Sequence, residues 1–292
     1  MSDDGRGRRR LGTGRARIAP GAASLRWGVL LLVGWAALLP VPTAKADPPD
    51  PPALDASADS LDLPSAETIF TRYVDAIGGR DAYTAVRSIR MTGRFELPAQ
   101  GMSGTLEMFA AAPDRFLMRI DLPGLGVMAS GFDGTVGWML QPMTGPMLVE
   151  GDALESLKEE ADFYNELKDA ADYDTVEVRE VSTAPGEPSY KVRLVRAGRP
   201  ESFEFYSLAT GLLTARRCVQ DSPMGRVDVF TRIGGYRRFG ALLLPTLESQ
   251  ELMGMEQRTV IDSVAYDAVD PAVFVLPEEI RTLVRSREET HD

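Results

Sequence analysis

Cysteine and histidine are almost missing from this chain of 292 residues, which contains one of each. The single thiol of Cys218 cannot form an intramolecular disulfide or a thiolate zinc cluster. The only histidine, His291, is the second-last residue, so the sequence offers no Ser-His-Asp triad and no HExxH zinc site. Because Cys218 lies in a strand-like run, we expect it to be a small buried apolar residue rather than a reactive thiol.

Phosphate-binding motifs are also missing. No GxxxxGK[ST] or GxGxxG pattern lies between a predicted strand and a predicted helix. Acidic residues are abundant, so pairs such as Asp172 and Asp174 occur, and a hydrolase that uses carboxylates alone stays open as a third alternative. We interpret such pairs as solvated surface charge. The sequence therefore predicts no catalytic residue, no cofactor and no metal ligand, and the protein is not expected to be an enzyme.

Residues 1–46 have the pattern of a secretory signal peptide. Seven arginines precede an apolar stretch from Gly28 to Leu39, and Ala44-Lys45-Ala46 provides a small-x-small cleavage site. The apolar stretch is shorter than the roughly 20 residues that a permanent membrane span needs. We therefore expect export to the periplasm, with an uncleaved N-terminal anchor as the alternative.

Removal of this leader makes the chain strongly acidic. The leader contains 8 of the 32 basic and 2 of the 43 acidic residues, so 24 basic and 41 acidic residues remain, a net charge of −17. A surface of this charge repels nucleic-acid phosphates and anionic membranes. We expect a soluble monomer with no nucleic-acid partner.

One folded domain is predicted after the leader. Residues 47–63 are rich in proline and aspartate and contain few large apolar side chains, so they are interpreted as a linker. No second linker of this kind follows, and residues 64–280 are expected to form a single domain. The charged residues 281–292 are predicted to be a disordered tail.

The domain begins with a helix and continues as strands. From Ser65 to Ile77 apolar side chains recur at three- and four-residue spacing, which predicts an amphipathic helix that ends at Gly78-Gly79. A short second helical turn is expected to follow, capped by Asp81. From Ile89 onward short strand patterns recur every 8 to 14 residues, and this spacing predicts hairpins in an antiparallel sheet.

A second long helix is predicted from Asp152 to Ala170. Asp152 is expected to cap it, and Glu155 would complete a capping box. Its apolar stripe is narrow and the rest of its surface is strongly acidic. We interpret this helix either as a lid that docks weakly over a cavity, or as an ordinary surface helix that closes the end of a barrel.

Alternating strands give the sheet one apolar face, which is the predicted binding surface. Alternation also fits a β-sandwich, but two amphipathic helices need a surface to cover, which favours one curved sheet. Methionines cluster between Met102 and Met147, and methionine is typical of surfaces that accept varied apolar partners. The residues predicted to line an apolar cavity are Met108, Phe116, Met118, Ile120, Trp138, Val192, Phe203 and Phe205. Those predicted at its rim or lid are Leu125, Met143, Leu157 and Tyr164.

Three stretches resemble a family of exported bacterial proteins, the outer-membrane lipoprotein-sorting carriers of the LolA and LolB type. They are Val74-Asp-Ala-Ile-Gly-Gly-Arg-Asp-Ala-Tyr83 with Val86-Arg-Ser-Ile89 and Gly93, Gly131-Phe-Asp-Gly-Thr-Val-Gly-Trp138, and Val269-Asp-Pro-Ala-Val-Phe-Val-Leu-Pro277. The resemblance implies a mainly β fold, in which a single antiparallel sheet of about eleven strands curves into an incomplete barrel. Helices on the concave side would enclose an apolar cavity.

The resemblance also implies a function. The expected protein is a periplasmic carrier or chaperone that binds lipid or lipoprotein acyl chains and transfers them toward the outer membrane. The alternative is an envelope sensor or interaction module on the same scaffold, which binds another envelope protein and transports no cargo.

Overall fold

The computed structural model describes residues 63–222, 225–252 and 255–291. The predicted leader and all but the last residue of the predicted linker lie outside these residues. Within the described ranges, no helix is both long enough and apolar enough to cross a membrane.

Helices precede, interrupt and follow a long run of strands in the described residues. The helices are α1 (Ala66–Ala76), α2 (Arg80–Ala85), α3 (Gly151–Ala161) and α4 (Glu278–His291). The strands before α3 are β1 (Ser88–Leu97), β2 (Met102–Ala111), β3 (Arg115–Leu122), β4 (Gly126–Phe132), β5 (Gly137–Gln141) and β6 (Gly145–Val149). The strands after α3 are β7 (Thr175–Ser182), β8 (Ser189–Val195), β9 (Ser202–Ser207), β10 (Leu213–Ser222), β11 (Gly225–Gly234), β12 (Arg237–Phe239), β13 (Leu242–Leu244), β14 (Leu247–Leu252) and β15 (Met255–Tyr266).

Thirteen of these strands form one sheet, in the order β6-β5-β4-β3-β2-β1-β15-β14-β11-β10-β9-β8-β7. All neighbouring strands are antiparallel. The sheet is not closed into a barrel, and β6 and β7 are its two edges. The predicted single antiparallel sheet is confirmed. The two remaining strands, β12 and β13, pair only with each other.

Helix α1 packs on one face of the sheet, which we call the inner face. Ser65 caps the helix by accepting a hydrogen bond from the backbone N–H of Thr68 at 3.2 Å, and Phe70 and Tyr73 are buried. The rings of both residues contact Tyr206 of β9, with ring centroids 5.8 and 5.4 Å apart. The predicted first helix is confirmed.

The turn after α1 needs glycine. Gly78 has a φ of +129°, and a Cβ there would lie 2.7 Å from the carbonyl oxygen of Ala241. This close contact holds the β12–β13 hairpin against the end of α1, where the backbone N–H of Leu243 donates to the carbonyl of Ile77 at 2.8 Å. Helix α2 begins after Gly79, so the predicted cap by Asp81 is wrong.

The predicted second long helix is shorter than expected. Helix α3 ends at Ala161, and Glu150 rather than Asp152 occupies its N-cap position. At its end the backbone N–H of Phe163 donates to the carbonyl of Pro113 at 2.9 Å, which draws the chain onto the sheet. Four consecutive residues then have buried side chains, and no surface helix can bury four in a row. These residues are Asn165, Glu166, Leu167 and Lys168.

The predicted disordered tail is wrong, and not every helix lies on the inner face. Helix α4 and a 3-10 turn, Pro271–Phe274, pack on the outer face of the sheet against Trp138. Ile280 is completely buried there, and Leu283 packs beside it. With Val284 they form an apolar stripe at three- and four-residue spacing, which the many charged neighbours conceal in the sequence.

The packing of α4 leads to a stability prediction. Ile280→Ala should lower the free energy of unfolding by about 2–5 kcal/mol, because it leaves a cavity against the outer face. The exposed neighbour Glu279→Ala is the control and should change it by less than about 0.5 kcal/mol. Urea denaturation measures both values. Equal stability of the two variants would mean that this helix is detached in solution.

Candidate functional site

The inner face of β1–β5 is apolar and rich in methionine, and we call it the methionine half. Met91, Met108, Met118 and Met128 all belong to the main buried core. Helix α3 contacts β3, β4 and β5 on this face. Helix α3 therefore covers β3, β4 and β5, whereas Met91 on β1 lies beside Tyr73 of α1 and Tyr83 of α2.

Gly137 on β5 lets α3 approach closely. A Cβ at this position would lie 2.7 Å from Cδ1 of Leu154 and 2.9 Å from Cδ2 of Leu157. Glycine in a strand commonly marks such a close approach. Leu157 is buried, and together with Ala161 and Phe163 it anchors the helix to the core.

The other half of the inner face carries a row of polar residues. Strand register places Glu204, Arg216, Thr231, Gln250 and Gln257 next to one another on β9, β10, β11, β14 and β15. All five are buried. We call them the polar row. A buried row of this kind is not expected on a surface that holds only hydrocarbon, because buried polar groups require partners.

Two side chains from the segment after α3 pair with this row. Nζ of Lys168 donates to Oε1 of Glu204 at 3.1 Å, and Nη2 of Arg216 donates to Oε1 of Glu166 at 3.0 Å. Nε of Arg216 also lies 3.4 Å from Oε1 of Glu204. Two cations and two carboxylates thus form a buried, electrically balanced group. We call residues 151–172, which include α3, the cover segment.

Two tyrosine hydroxyls complete the group. The Tyr206 hydroxyl donates to Oε2 of Glu204 at 2.5 Å, and the Tyr73 hydroxyl donates to Oε2 of Glu166. Burial, followed by the nearby carboxylates, raises the pKa of both tyrosines well above its usual value. Burial also acts to raise the pKa of Glu204, but Lys168, Arg216 and the hydrogen bonds outweigh it and lower that pKa to about 2. Glu204 is therefore ionised at every physiological pH.

A small enclosed cavity lies where α1, the cover segment and the sheet meet. Its volume is about 30 Å³, and its walls include Tyr73, Met91, Glu166 and Glu248. A space of this size holds water but no acyl chain. Burial raises the pKa of Glu248 to about 8, with Glu166 and Glu160 acting in the same direction and Arg216 opposing them.

A larger open groove lies at the β6 edge. Its volume is about 590 Å³, and its walls include Leu148, Leu154 and Val284, with Arg287 and Glu150 forming an ion pair at its rim. Among the described residues, no group of three or more histidine, cysteine, aspartate or glutamate side chains is placed to hold a metal ion.

The structure brings together five of the residues that the sequence predicted to line a cavity. They lie on the inner face, buried in the main core, and are Met108, Phe116, Met118, Ile120 and Val192. In this structure they pack in the main core together with side chains of the helices. Cys218 is buried in the same core, as predicted.

Three predicted cavity residues, Trp138, Phe203 and Phe205, lie on the outer face. Trp138 packs beneath α4. Phe205 packs against Phe230, and Phe203 lies under the ammonium group of Lys191. The prediction placed the apolar residues of β9 inward and its charged residue outward. The reverse holds because the inward residue Glu204 finds its cationic partners in distant parts of the chain.

The predicted rim and lid residues differ in their positions. Leu157 and Tyr164 belong to the cover segment and pack on the core, where the Tyr164 hydroxyl donates to the carbonyl of Val86 at 3.2 Å. Leu125 is half-buried at the edge of the core. Met143 is 64% exposed and lies in the β5–β6 turn.

Sequence reasoning missed the charged residues of the site, namely Glu166, Lys168, Glu204 and Arg216. The sequence pattern assigns Glu166 to an acidic helix surface and Glu204 to the solvent-facing side of a strand. Nothing local distinguishes them from solvated charges. Lys168 gives no signal either, because Lys158 in the same acidic stretch is an exposed surface residue.

No protein-family model matches the sequence, and no curated protein sequence matches it. Several solved structures resemble the fold. A LolA superfamily protein from Nitrosomonas europaea is 12% identical, over 73% of this chain and 99% of that chain, with a TM-score of 0.48. A DUF1329 family protein from Desulfovibrio piger is 9% identical, over 71% and 95%, with a TM-score of 0.49.

An outer membrane lipoprotein-sorting protein domain from Vibrio parahaemolyticus is 10% identical, over 70% of this chain and 95% of that chain, with a TM-score of 0.42. At these identities the likeness concerns the fold and not the function.

The buried ion pairs lead to a stability prediction with an internal control. Arg216→Met should lower the free energy of unfolding by about 3–5 kcal/mol, because it leaves the buried carboxylate of Glu166 without its cation. Arg217→Met should cost less than about 1 kcal/mol, because Arg217 and its partner Asp228 are 53% and 47% exposed. Chemical denaturation at neutral pH measures the difference. Similar losses in the two variants would contradict the burial of this group.

Glu248 leads to a pH prediction. Its pKa is about 8 in the folded protein against an ordinary value of 4.5. Between these values the folded state binds a proton that the unfolded state does not, so stability falls as the pH rises from about 4.5 to about 8. Partial exposure reduces the effect, and we expect a loss of about 2 kcal/mol.

The matched variant for this prediction is Glu248→Gln, which cannot ionise. Between about pH 5 and about pH 9, the free energy of unfolding of this variant should not show the decrease that we expect for the wild type. Parallel pH profiles for the two proteins would show that Glu248 titrates normally.

Proposed function

We propose that the protein is an exported carrier or chaperone that holds a lipid or lipoprotein acyl chain on the methionine half of its inner face. The observation that supports this most is that α3 lies over β3, β4 and β5, whose inner side chains include Met118 and Met128. Flexible methionines adapt to varied apolar partners. When the cover segment moves away, this exposed apolar surface needs another apolar group to bind it.

The proposal requires movement of the cover segment. The enclosed cavity of about 30 Å³ admits no acyl chain while the segment is docked. We therefore assign residues 151–172 as a lid that opens for loading and closes when the site is empty. Export by the leader predicted in residues 1–46 is part of the same proposal, as is the absence of any catalytic residue.

The energies of the two states are comparable. Burial of a sixteen-carbon acyl chain gains roughly 12 kcal/mol before ordering costs, at about 0.8 kcal/mol per methylene. Displacement of the lid exposes Leu157, Phe163 and Leu167, which are all buried. Their exposure costs about 5–9 kcal/mol. The apolar contributions of the two states are thus of similar size, which lets cargo be both taken up and released when the polar contacts of the segment are replaced.

Native mass spectrometry of protein purified without detergent tests the proposal directly. The expected result is a mass above that of the protein alone, together with saturable uptake of an acyl-chain fluorophore by lipid-free protein. Detection of only the unliganded mass, with no fluorophore uptake, would rule the carrier out.

A larger side chain beneath α3 should destabilise the closed state and so favour the open state. Gly137→Val places methyl groups where Leu154 and Leu157 now lie, which penalises the closed form by about 1–3 kcal/mol. Its contact with Cβ of Val149 on β6, at 3.2 Å, is present in both forms and does not change their balance. We expect the affinity for the acyl fluorophore to rise by about 5- to 100-fold.

Gly234→Val is the matched control for this substitution, because no atom lies within 4 Å of a Cβ at Gly234. Its affinity should equal that of the wild type. An unchanged affinity in Gly137→Val, in a variant that still folds, would contradict the assignment of α3 as a lid.

A second candidate function rests on the groove of about 590 Å³ at the β6 edge. A strand edge beside an apolar groove suits an extended segment of another envelope protein. A one-to-one complex with such a protein, formed without lipid and lost in Val284→Glu, would favour this function over transport.

A further inference from the structure

The cover segment presents two opposite charges to the sheet at a spacing of two residues. Its Lys168 lies at Glu204 and its Glu166 lies at Arg216, with contacts of 3.1 and 3.0 Å. All four side chains are at most 10% exposed. Lys168 and Glu166 move with the segment, whereas Glu204 and Arg216 stay in the sheet.

Opening of the lid changes the partners of the two sheet residues. Glu204 loses its ammonium partner and keeps Arg216 and the Tyr206 hydroxyl. Arg216 loses its 3.0 Å contact with Glu166 and keeps Glu204 at 3.4 Å. Each of the two sheet residues thus has one opposite charge fewer, and a molecule that replaces the lid restores both contacts only if it places a cation at Glu204 and an anion at Arg216.

A ligand head group of one sign cannot do this. A purely anionic group would pair with Arg216 but would lie beside the Glu204 carboxylate. A purely cationic group would pair with Glu204 but would lie beside the Arg216 guanidinium. Only a group that carries both an ammonium and an anionic oxygen reproduces what Lys168 and Glu166 supply.

Two further atoms of the polar row lie outside this pair. Among the described residues, Nε2 of Gln250 and Oε1 of Gln257 are buried and have no hydrogen-bond partner. The two residues face each other across β14 and β15, so this donor and this acceptor can satisfy one another. They lie two and three strands from Arg216, at about 10 and 14 Å for strands about 4.8 Å apart, which is beyond the reach of a head group bound there.

We propose that the polar row binds the zwitterionic head group of a lipid, with its ammonium at Glu204 and its phosphate at Arg216. Lys168 and Glu166 then occupy these two positions in the closed protein and act as an internal stand-in for the head group. The acyl chain would extend from there onto the methionine half. This inference rests on the proposed carrier function and specifies its ligand.

The test compares lipids that share one palmitoyl chain and differ only in the head group. Lysophosphatidylethanolamine carries an ammonium and a phosphate, whereas lysophosphatidylglycerol carries the phosphate alone. Competition with the acyl fluorophore measures both affinities, and free phosphoethanolamine serves as a third competitor without an acyl chain. The zwitterionic lipid should bind at least about ten-fold more tightly than the anionic one.

Variants of Glu204 in the sheet, and of Glu166 and Lys168 in the cover segment, add a second measurement. Glu204→Gln keeps a hydrogen-bond acceptor for Tyr206 but removes the charge, and it should abolish the preference for the zwitterionic lipid. Glu204→Asp should retain the preference. The double variant Glu166→Gln/Lys168→Gln removes the stand-in and should raise the affinity for the zwitterionic lipid by about ten-fold.

Each outcome has a distinct meaning. Equal binding of the two lipids by the wild-type protein overturns the head-group assignment and leaves the carrier function intact, whether or not the variants fold. Competition by free phosphoethanolamine as strong as that of the lipid also overturns it, because the site would then serve a soluble zwitterion. Failure of every lipid and of the fluorophore to bind refutes the carrier function itself.

Discussion

The arrangement of the inner face depends on the buried ion pairs between the cover segment and the sheet. Arg216 and Glu204 lie in the middle of a buried surface. A charged side chain is stable there only when it contacts a group of opposite charge. Glu166 and Lys168 fulfil this need. To do so, the chain must leave its helix at Ala161 and enter the interior as an irregular segment. The small size of the remaining cavity follows from this docking.

The two halves of the inner face are held by different kinds of interaction. Helix α3 contacts the methionine half through apolar side chains, and such contacts are non-directional and readily exchanged for those of an acyl chain. Arg199, between β8 and β9, also holds this helix by donating to Ser156 and Glu159 at 3.0 and 2.7 Å. The residues that follow α3 are attached to the polar row by directional ion pairs. A ligand that combines a hydrocarbon chain with a balanced polar group would replace both attachments at once. Neither half by itself indicates such a ligand.

Where α4 and the 3-10 turn cover it, the outer face stabilises the fold and does not serve as a binding surface. Trp138 and Ile280 lie in a second apolar cluster that α4 closes. The sheet is therefore packed on both faces near β2–β5. This packing holds β5 in place beneath α3. The groove beside β6 marks the place where this outer packing ends.

Local patterns in the sequence determined much of the fold: α1 from its apolar spacing, the strands from their alternation and turn residues, and the burial of Met108 and Met118 from their parity within strands. These features depend on near neighbours, and near neighbours are visible in a sequence. The inward side chain of Glu204, the end of α3 and the docking of α4 were decided only by the tertiary structure. Each depends on a partner far along the chain, because a charge or a short apolar stripe has no preferred environment until the group that pairs with it or covers it is in place.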